Sequence, residues 1–230
     1  MRKILLFVAI AAAAFAQKPL KIVLVGDSTV NDEGGWGPGF RAAFNSKVEI
    51  VNLAKNGRSS KSFRDEGLWE PAVRAHADYI LIQFGHNDEP GKGPERETDP
   101  ETTYRTNLLR YCEEAKASGA IPVLVTSIVR RNFNGIRQIK HDKMPAYVNA
   151  VKKLAAEKNI LLIDMYSATV AQAMMLGPEG TKELNAVTKD GKSDTTHLGP
   201  KGRDEIGKIA AATLAHLQPS LVPYLTIRIQ

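Results

Sequence analysis

The 230-residue sequence predicts one three-layer α/β domain, a parallel sheet covered by helices on both sides. Three observations predict it. Short apolar runs rich in Val, Ile and Leu alternate with longer amphipathic stretches, the rhythm of βαβ units. The apolar runs are nearly continuous, which suits strands buried on both faces. No internal repeat, low-complexity linker or shift of composition divides residues 17–230. With 43% hydrophobic and 24% charged residues, the chain has the composition of an ordinary globular protein. Its length buries a sizeable core without disulfides or metals.

In chain order, the predicted strands are Leu20–Val25, Val48–Asn52, Tyr79–Phe84, Ile121–Thr126 and Ile160–Ile163. Helical periodicity falls between them, near Gly39–Ser46, Trp69–Ala75, Thr102–Ser118 and Lys143–Lys158. A last helix runs over Pro200–Leu217, with proline in its first turn and Asp204 and Glu205 early in it.

The first sixteen residues stand apart. Arg2 and Lys3 precede the apolar run Ile4–Phe15, and Ala14-Phe15-Ala16 offers small residues where a signal peptidase reads. The run is short for a bilayer span, and no second apolar stretch of spanning length follows. Cleavage after Ala16 and export to the periplasm or medium is the prediction, against an N-terminal anchor or a buried helix. Losing Arg2 and Lys3 lowers the formal charge from +6 to +4. So mild an excess, without a basic stripe or motif, argues against nucleic acid as a partner. It is compatible with an acidic ligand. After cleavage no membrane association is expected, and nothing indicates an oligomeric state. Cys112 stands alone in a helical pattern, the place of a buried inert thiol rather than a nucleophile.

In open parallel sheets the ligand crevice lies beyond the carboxyl ends of the strands. The first strand is followed by Gly26-Asp27-Ser28-Thr29, the second by Leu53 through Ser59, and the third by Gly85-His86-Asn87-Asp88. Asp194-Thr195-Thr196-His197 stands just ahead of the last helix. One crevice can gather all four. Their chemistry fits acyl transfer. A serine hydroxyl attacks only when a base takes its proton, and the base histidine needs a carboxylate to fix its tautomer. Ser28, His197 and Asp194 supply these roles. Negative charge on the attacked carbonyl then requires preorganised donors. The backbone N–H groups of Ser28 and Gly57 and the side-chain amide of Asn87 are the candidates for this oxyanion hole.

These blocks resemble those of the SGNH, or GDSL-like, hydrolases. GDS at Gly26–Ser28, Gly57 behind Asn52, GHND at Gly85–Asp88 and DTTH at Asp194–His197 occur in the family's order. Gly26-Asp27-Ser28-Thr29, Gly35-Trp36-Gly37 and Asn56-Gly57-Arg58-Ser59-Ser60 make the chain most similar to rhamnogalacturonan acetylesterases. The resemblance implies a flavodoxin-like, five-stranded parallel sheet and cofactor-free hydrolysis through an acyl-enzyme. It implies the same roles for Ser28, His197, Asp194, Gly57 and Asn87, and an acetylated polysaccharide or oligosaccharide as substrate. The chain departs from fungal members in lacking their disulfides.

Each position also has a plainer reading. The Gly26–Thr29 turn lacks the lysine and glycine spacing of a phosphate loop. Asp194 suits a simple turn, and so does Asn87. His86 suits loop positioning as well as substrate contact. His76, His141 and His216 read as surface or packing residues without ligand spacing for zinc, so no metal is expected. Met174 and Met175 are expected in the core or under a loop. The stretches Glu89–Glu101 and Gly177–Ser193 are expected to rim the crevice. Arg58, Arg130 and Arg131 are candidate contacts for a uronate carboxylate, with solvated charge as the alternative. Other function classes consistent with the sequence are a lipase-like, thioesterase or acetylxylan esterase member of the family, and a non-catalytic carbohydrate-binding protein on the same fold.

Overall fold

A computed structural model describes residues 19–135, 138–140 and 142–228. The expected export segment, residues 1–16, and His141 lie outside the described residues. Five parallel strands form the main sheet: β1 (Leu20–Gly26), β2 (Val48–Asn52), β3 (Tyr79–Gln83), β4 (Ile121–Val125) and β5 (Leu161–Ile163), in the order β2-β1-β3-β4-β5. Each predicted strand is present within a residue or two of its expected ends. The period-two rule assigns their side chains to two cores. Val23, Val25, Ile80, Ile82 and Leu124 face one side; Ile22, Leu24, Leu81, Val123 and Val125 face the other.

The helices divide between these faces. α2 (Ser62–Asp65), α3 (Glu70–Arg74), α4 (Thr103–Ala117) and α5 (Met144–Lys158) cover the first through Phe63, Ala72, Tyr111 and Val151. α1 (Gly37–Ala42) and α7 (Pro200–Leu217) cover the second through Phe40, Ile206, Ala210 and Leu214. The expected three-layer architecture is therefore the observed one. Local chemistry sets the helix ends. Asp99 accepts from the backbone N–H of Glu101 and Thr102 ahead of α4, and Asp142 accepts from Met144 N at the start of α5. Asn159 ends α5 in the left-handed conformation, φ 49°.

Two elements were not foreseen. α6 (Met165–Gly180) follows β5 directly, with Asp164 capping it by accepting from Ser167 N at 3.2 Å. Its helical period turns Met165, Thr169 and Ala173 inward. Met174 and Met175 therefore point outward, Met175 with 79% of its surface exposed, which corrects the expectation of a core place. The second is a hairpin of β6 (Asn185–Val187) and β7 (Ser193–Leu198), and it carries Asp194 and His197. The expected helix over Gly39–Ser46 instead starts at Gly37 and stops at Ala42. There Asn45 N bonds Tyr224 O, and Phe44 bridges to Leu225. Cys112 is buried in α4, where burial pushes its thiol up to about 12.

Beneath the carboxyl ends of β1 and β3 runs a fully buried hydrogen-bond chain. Trp36 Nε1 donates to Gln83 Oε1 (2.9 Å), Gln83 Nε2 to Thr29 Oγ1 (2.7 Å), and Thr29 Oγ1 to Asp27 Oδ1 (2.7 Å). Gln83→Met keeps the volume and leaves Trp36 Nε1 and one Thr29 lone pair without partners. A loss of about 2–4 kcal/mol in unfolding free energy is expected from urea titration. A loss below about 0.5 kcal/mol would show that the chain does not hold the fold.

Candidate active site

The four polar segments converge at the carboxyl edge of the sheet. Ser28 lies in the turn after β1, where the side chain of Asp27 accepts from Thr29 N at 2.8 Å. His197 Nε2 lies 2.8 Å from Ser28 Oγ, and His197 Nδ1 lies 2.7 Å from Asp194 Oδ2. The local geometry of β7 explains how Asp194 and His197 meet. In a regular strand, residues three apart point to opposite faces. Here Ala186 pairs with Asp194 and Asn185 with Leu198, so Thr195, Thr196 and His197 bulge out of the ladder. Asp194 Oδ1 accepts from Thr196 N (2.9 Å) and His197 N (3.0 Å), curling the segment until carboxylate and imidazole face each other. Burial tends to raise the Asp194 carboxyl. The bonds from the backbone and ring of His197 and from Thr196 N outweigh it and hold the group below its ordinary value.

The expected donors gather beside the serine segment. Among the described residues the backbone N–H groups of Ser28 and Gly57 donate to no protein acceptor. Gly57 adopts φ 74°, and open space lies where a side chain would start. Asn87 Nδ2 donates to Arg58 O at 3.2 Å, which ties the amide to the residue after Gly57. An amide nitrogen carries two hydrogens, so one remains for a ligand.

Asp88 holds that arrangement together. Buried in the turn after β3, it accepts from Ser60 N (3.1 Å), Ser60 Oγ (2.5 Å) and Thr98 Oγ1 (2.9 Å). It thereby joins the Gly57 segment to the Asn87 segment. Burial pushes its carboxyl up to about 7 against the opposing effect of those bonds.

His86 lies inside, 4% exposed, with Nδ1 3.8 Å from Asp27 Oδ2 and no hydrogen bond to either ring nitrogen among the described residues. Burial, then the charges of Arg130 and His197, push it well below the ordinary histidine value, so it is neutral. The arginines are already engaged. Arg58 bonds Glu66 Oε2 through Nε (2.9 Å) and Nη2 (2.8 Å), and Asn56 O through Nη1. Arg130 holds Glu89 in a fork (2.9 and 2.7 Å) and Asp142 at 2.8 Å. A uronate would have to displace these carboxylates. Arg131 is buried and turned toward the backbone of His197. Of the two expected rims, Glu89 is buried on Arg130, while the Gly177–Ser193 stretch forms the end of α6 and most of the hairpin. His76 and His216 are exposed. Among the described residues no three His, Cys, Asp or Glu side chains converge as metal ligands.

A serine, histidine and aspartate stand in one hydrogen-bonded line, beside unengaged N–H donors on a five-stranded parallel α/β sheet, an arrangement that can carry out acyl transfer. Comparison with known proteins gives the class. Residues 24–204 match the GDSL-like lipase/acylhydrolase family model. The rhamnogalacturonan acetylesterase RhgT of Bacillus subtilis strain 168 is 36% identical over 92% of this chain and 97% of its own length. The probable rhamnogalacturonan acetylesterase YesY of the same organism is 35% identical over 85% of this chain and 93% of its own. The crystal structure of Bacillus subtilis YxiM superposes with TM-score 0.73 at 25% identity, covering 86% of this chain and 56% of that longer one. The chain belongs to the GDSL-like lipase/acylhydrolase family. It is a carboxylic ester hydrolase.

Sequence reasoning missed Gly34, Gln83 and Ser60. Gly34 precedes the Gly35-Trp36-Gly37 run already noticed, but nothing local showed what it faces. In the structure its O accepts from Leu198 N (2.8 Å), and a Cβ there would stand 3.2 Å from His197 Cδ2. Gly34→Ala therefore presses the imidazole off its line to Ser28. We expect kcat to fall on the order of tenfold or more with little change in melting temperature, since small misplacements of reacting groups are costly. An unchanged kcat would refute the contact.

Asp88 generates a second expectation. Its folded value of about 7 exceeds the ordinary 3.8, so the fold favours the protonated form. That contribution is complete below the ordinary value and is lost as pH rises toward and through the folded one. Asp88→Asn removes this titration. Between pH 5 and 8 the melting temperature of the wild type should therefore fall by at least about 3 °C more than that of the variant. Parallel curves would show that Asp88 is ionised throughout.

Proposed function

We propose that this chain is a carbohydrate O-acetylesterase acting on acetylated pectic rhamnogalacturonan through an acyl-enzyme. The observation that carries the reading is the line from Ser28 Oγ through His197 to Asp194, at 2.8 and 2.7 Å. The substrate class comes from RhgT and YesY, whose names specify rhamnogalacturonan acetylesterase activity.

In the proposed mechanism Ser28 Oγ attacks the acetyl carbonyl while His197 Nε2 takes its proton. Asp194 holds Nδ1–H and steadies the imidazolium. The oxyanion is received by the N–H of Ser28, the N–H of Gly57 and the free amide hydrogen of Asn87, each donor worth about 3 kcal/mol in such sites. His197 gives its proton to the departing sugar hydroxyl. A water then repeats the sequence on the acetyl-serine, releasing acetate and restoring Ser28. Neutral His86 adds no charge beneath this centre.

We also infer export, with cleavage after Ala16. The basic, apolar and small-residue succession at the N-terminus supports it, and a polymeric substrate lies outside the cell.

The test is acetate release by the purified mature protein from acetylated rhamnogalacturonan and acetylated xylan, with Ser28→Ala alongside. Release mainly from the pectic polymer is expected, and it should fall at least about 10³-fold in the variant. Release mainly from xylan would keep the triad and discard the pectic substrate. Undiminished release by Ser28→Ala would discard the nucleophile.

A further inference from the structure

Arg131 is only 3% exposed, and among the described residues no carboxylate pairs with it. Burial draws its guanidinium down to about 10, with Asp194 acting the other way, so it is a cation at neutral pH. Burying an unpaired charge is costly, and a core residue of similar volume would avoid that cost. What the arginine contributes is visible in where its bonds go. Its backbone N donates to Thr195 O at 2.9 Å. Nη2 donates to His197 O at 2.8 Å, and Nε donates to Asn185 Oδ1. Asn185 in turn donates through Nδ2 to Ser193 Oγ at 2.8 Å, just ahead of Asp194. Next door, Asn132 Oδ1 accepts from Thr195 Oγ1 at 2.7 Å. Every one of these bonds ends on the hairpin of β6 and β7.

We propose that Arg131, acting with Asn185, is a positioning residue. It clamps the Asp194–His197 bulge in register with Ser28. The proposal rests on the triad reading above.

The bulge needs such a clamp. A three-residue excursion from a short two-stranded ladder has few backbone bonds of its own. Gly34 supports it from one side through Leu198 N. Arg131 supports it from the segment that follows β4, six residues beyond Val125. His86 is neutral, and Arg130 is matched by Glu89 and Asp142. Arg131, by contrast, has no carboxylate partner among the described residues, and its side-chain bonds go to the His197 carbonyl and the Asn185 amide oxygen.

The experiment measures kcat and KM on p-nitrophenyl acetate, and melting temperature, for the wild type, Arg131→Met, Arg131→Lys and Ser28→Ala. For Arg131→Met we expect kcat to fall on the order of 10–100-fold with KM within about twofold. Arg131→Lys keeps the charge and loses the fork, so kcat falls here too, with KM again little changed. If Arg131→Met does not fold, Asn185→Ala removes one anchor and keeps the cation, with the same outcome expected as for lysine. A kcat within twofold of wild type in these variants, or a loss carried by KM rather than kcat, overturns the proposal. Wild-type turnover in Ser28→Ala overturns the triad reading instead, whatever the arginine variants do.

Discussion

A polar group sealed away from water must find its partner inside the protein, and at the carboxyl edge of this sheet that constraint shapes the rest. The strands are apolar along their length, then give way to Asp27, Thr29, Ser60, Gln83, Asp88 and Ser127, all buried. Leaving any of them unpaired costs on the order of 1–3 kcal/mol, a large share of a domain's net stability. The solution is a set of bonds that cross between loops: Trp36 through Gln83 and Thr29 to Asp27, Ser60 to Asp88, Tyr104 and Ser127 to Phe84 O. Because all but the local Thr29–Asp27 bond join segments 20 or more residues apart, satisfying them also fixes the positions of Ser28, Gly57 and Asn87. Fold stability and preorganisation of the site draw on the same bonds.

The histidine arm is built on a different principle. Ser28, Gly57 and Asn87 sit in turns that leave the parallel sheet, whereas Asp194 and His197 sit on a separate hairpin. Nothing in the main sheet dictates where that hairpin lies. Its place comes from Gly34 on one flank, Arg131 on another and α7 following directly behind. A site of this kind is as precise as the weakest of these supports, because a few tenths of an ångström at the imidazole decides whether Nε2 reaches the serine.

Electrostatics favours one ionisable line through a mostly neutral neighbourhood. Burial keeps His86 neutral and draws the Asp27 carboxyl upward, while Arg58 and Arg130 are matched by Glu66, Glu89 and Asp142. The mild positive charge of the chain is therefore not concentrated as free guanidinium at these positions. Carboxylates of the chain itself occupy the places expected for a substrate's, and that distinction depends on residues 8 to 41 positions away in sequence.

What the sequence determined by itself is the layered α/β architecture, all five strands of the sheet and the identity of the residues that meet at its edge. The reason is that apolar continuity and helical period are local, and the Gly-Asp-Ser, Gly-His-Asn-Asp and Asp-Thr-Thr-His segments declare their chemistry by residue type and order. The tertiary structure alone decided the hairpin and its bulge, the outward place of Met174 and Met175, the interior place of His86 and the engagement of Arg58, Arg130 and Arg131. Each of these turns on which distant partner a side chain meets. Two residues of the same type, Arg130 and Arg131, stand side by side in the chain: one is neutralised by two carboxylates, and the other is buried behind the histidine segment. No property of either residue or its neighbours in sequence separates them, because the separation is made by Glu89 and Asp142 on one side and by Asn185 and His197 on the other.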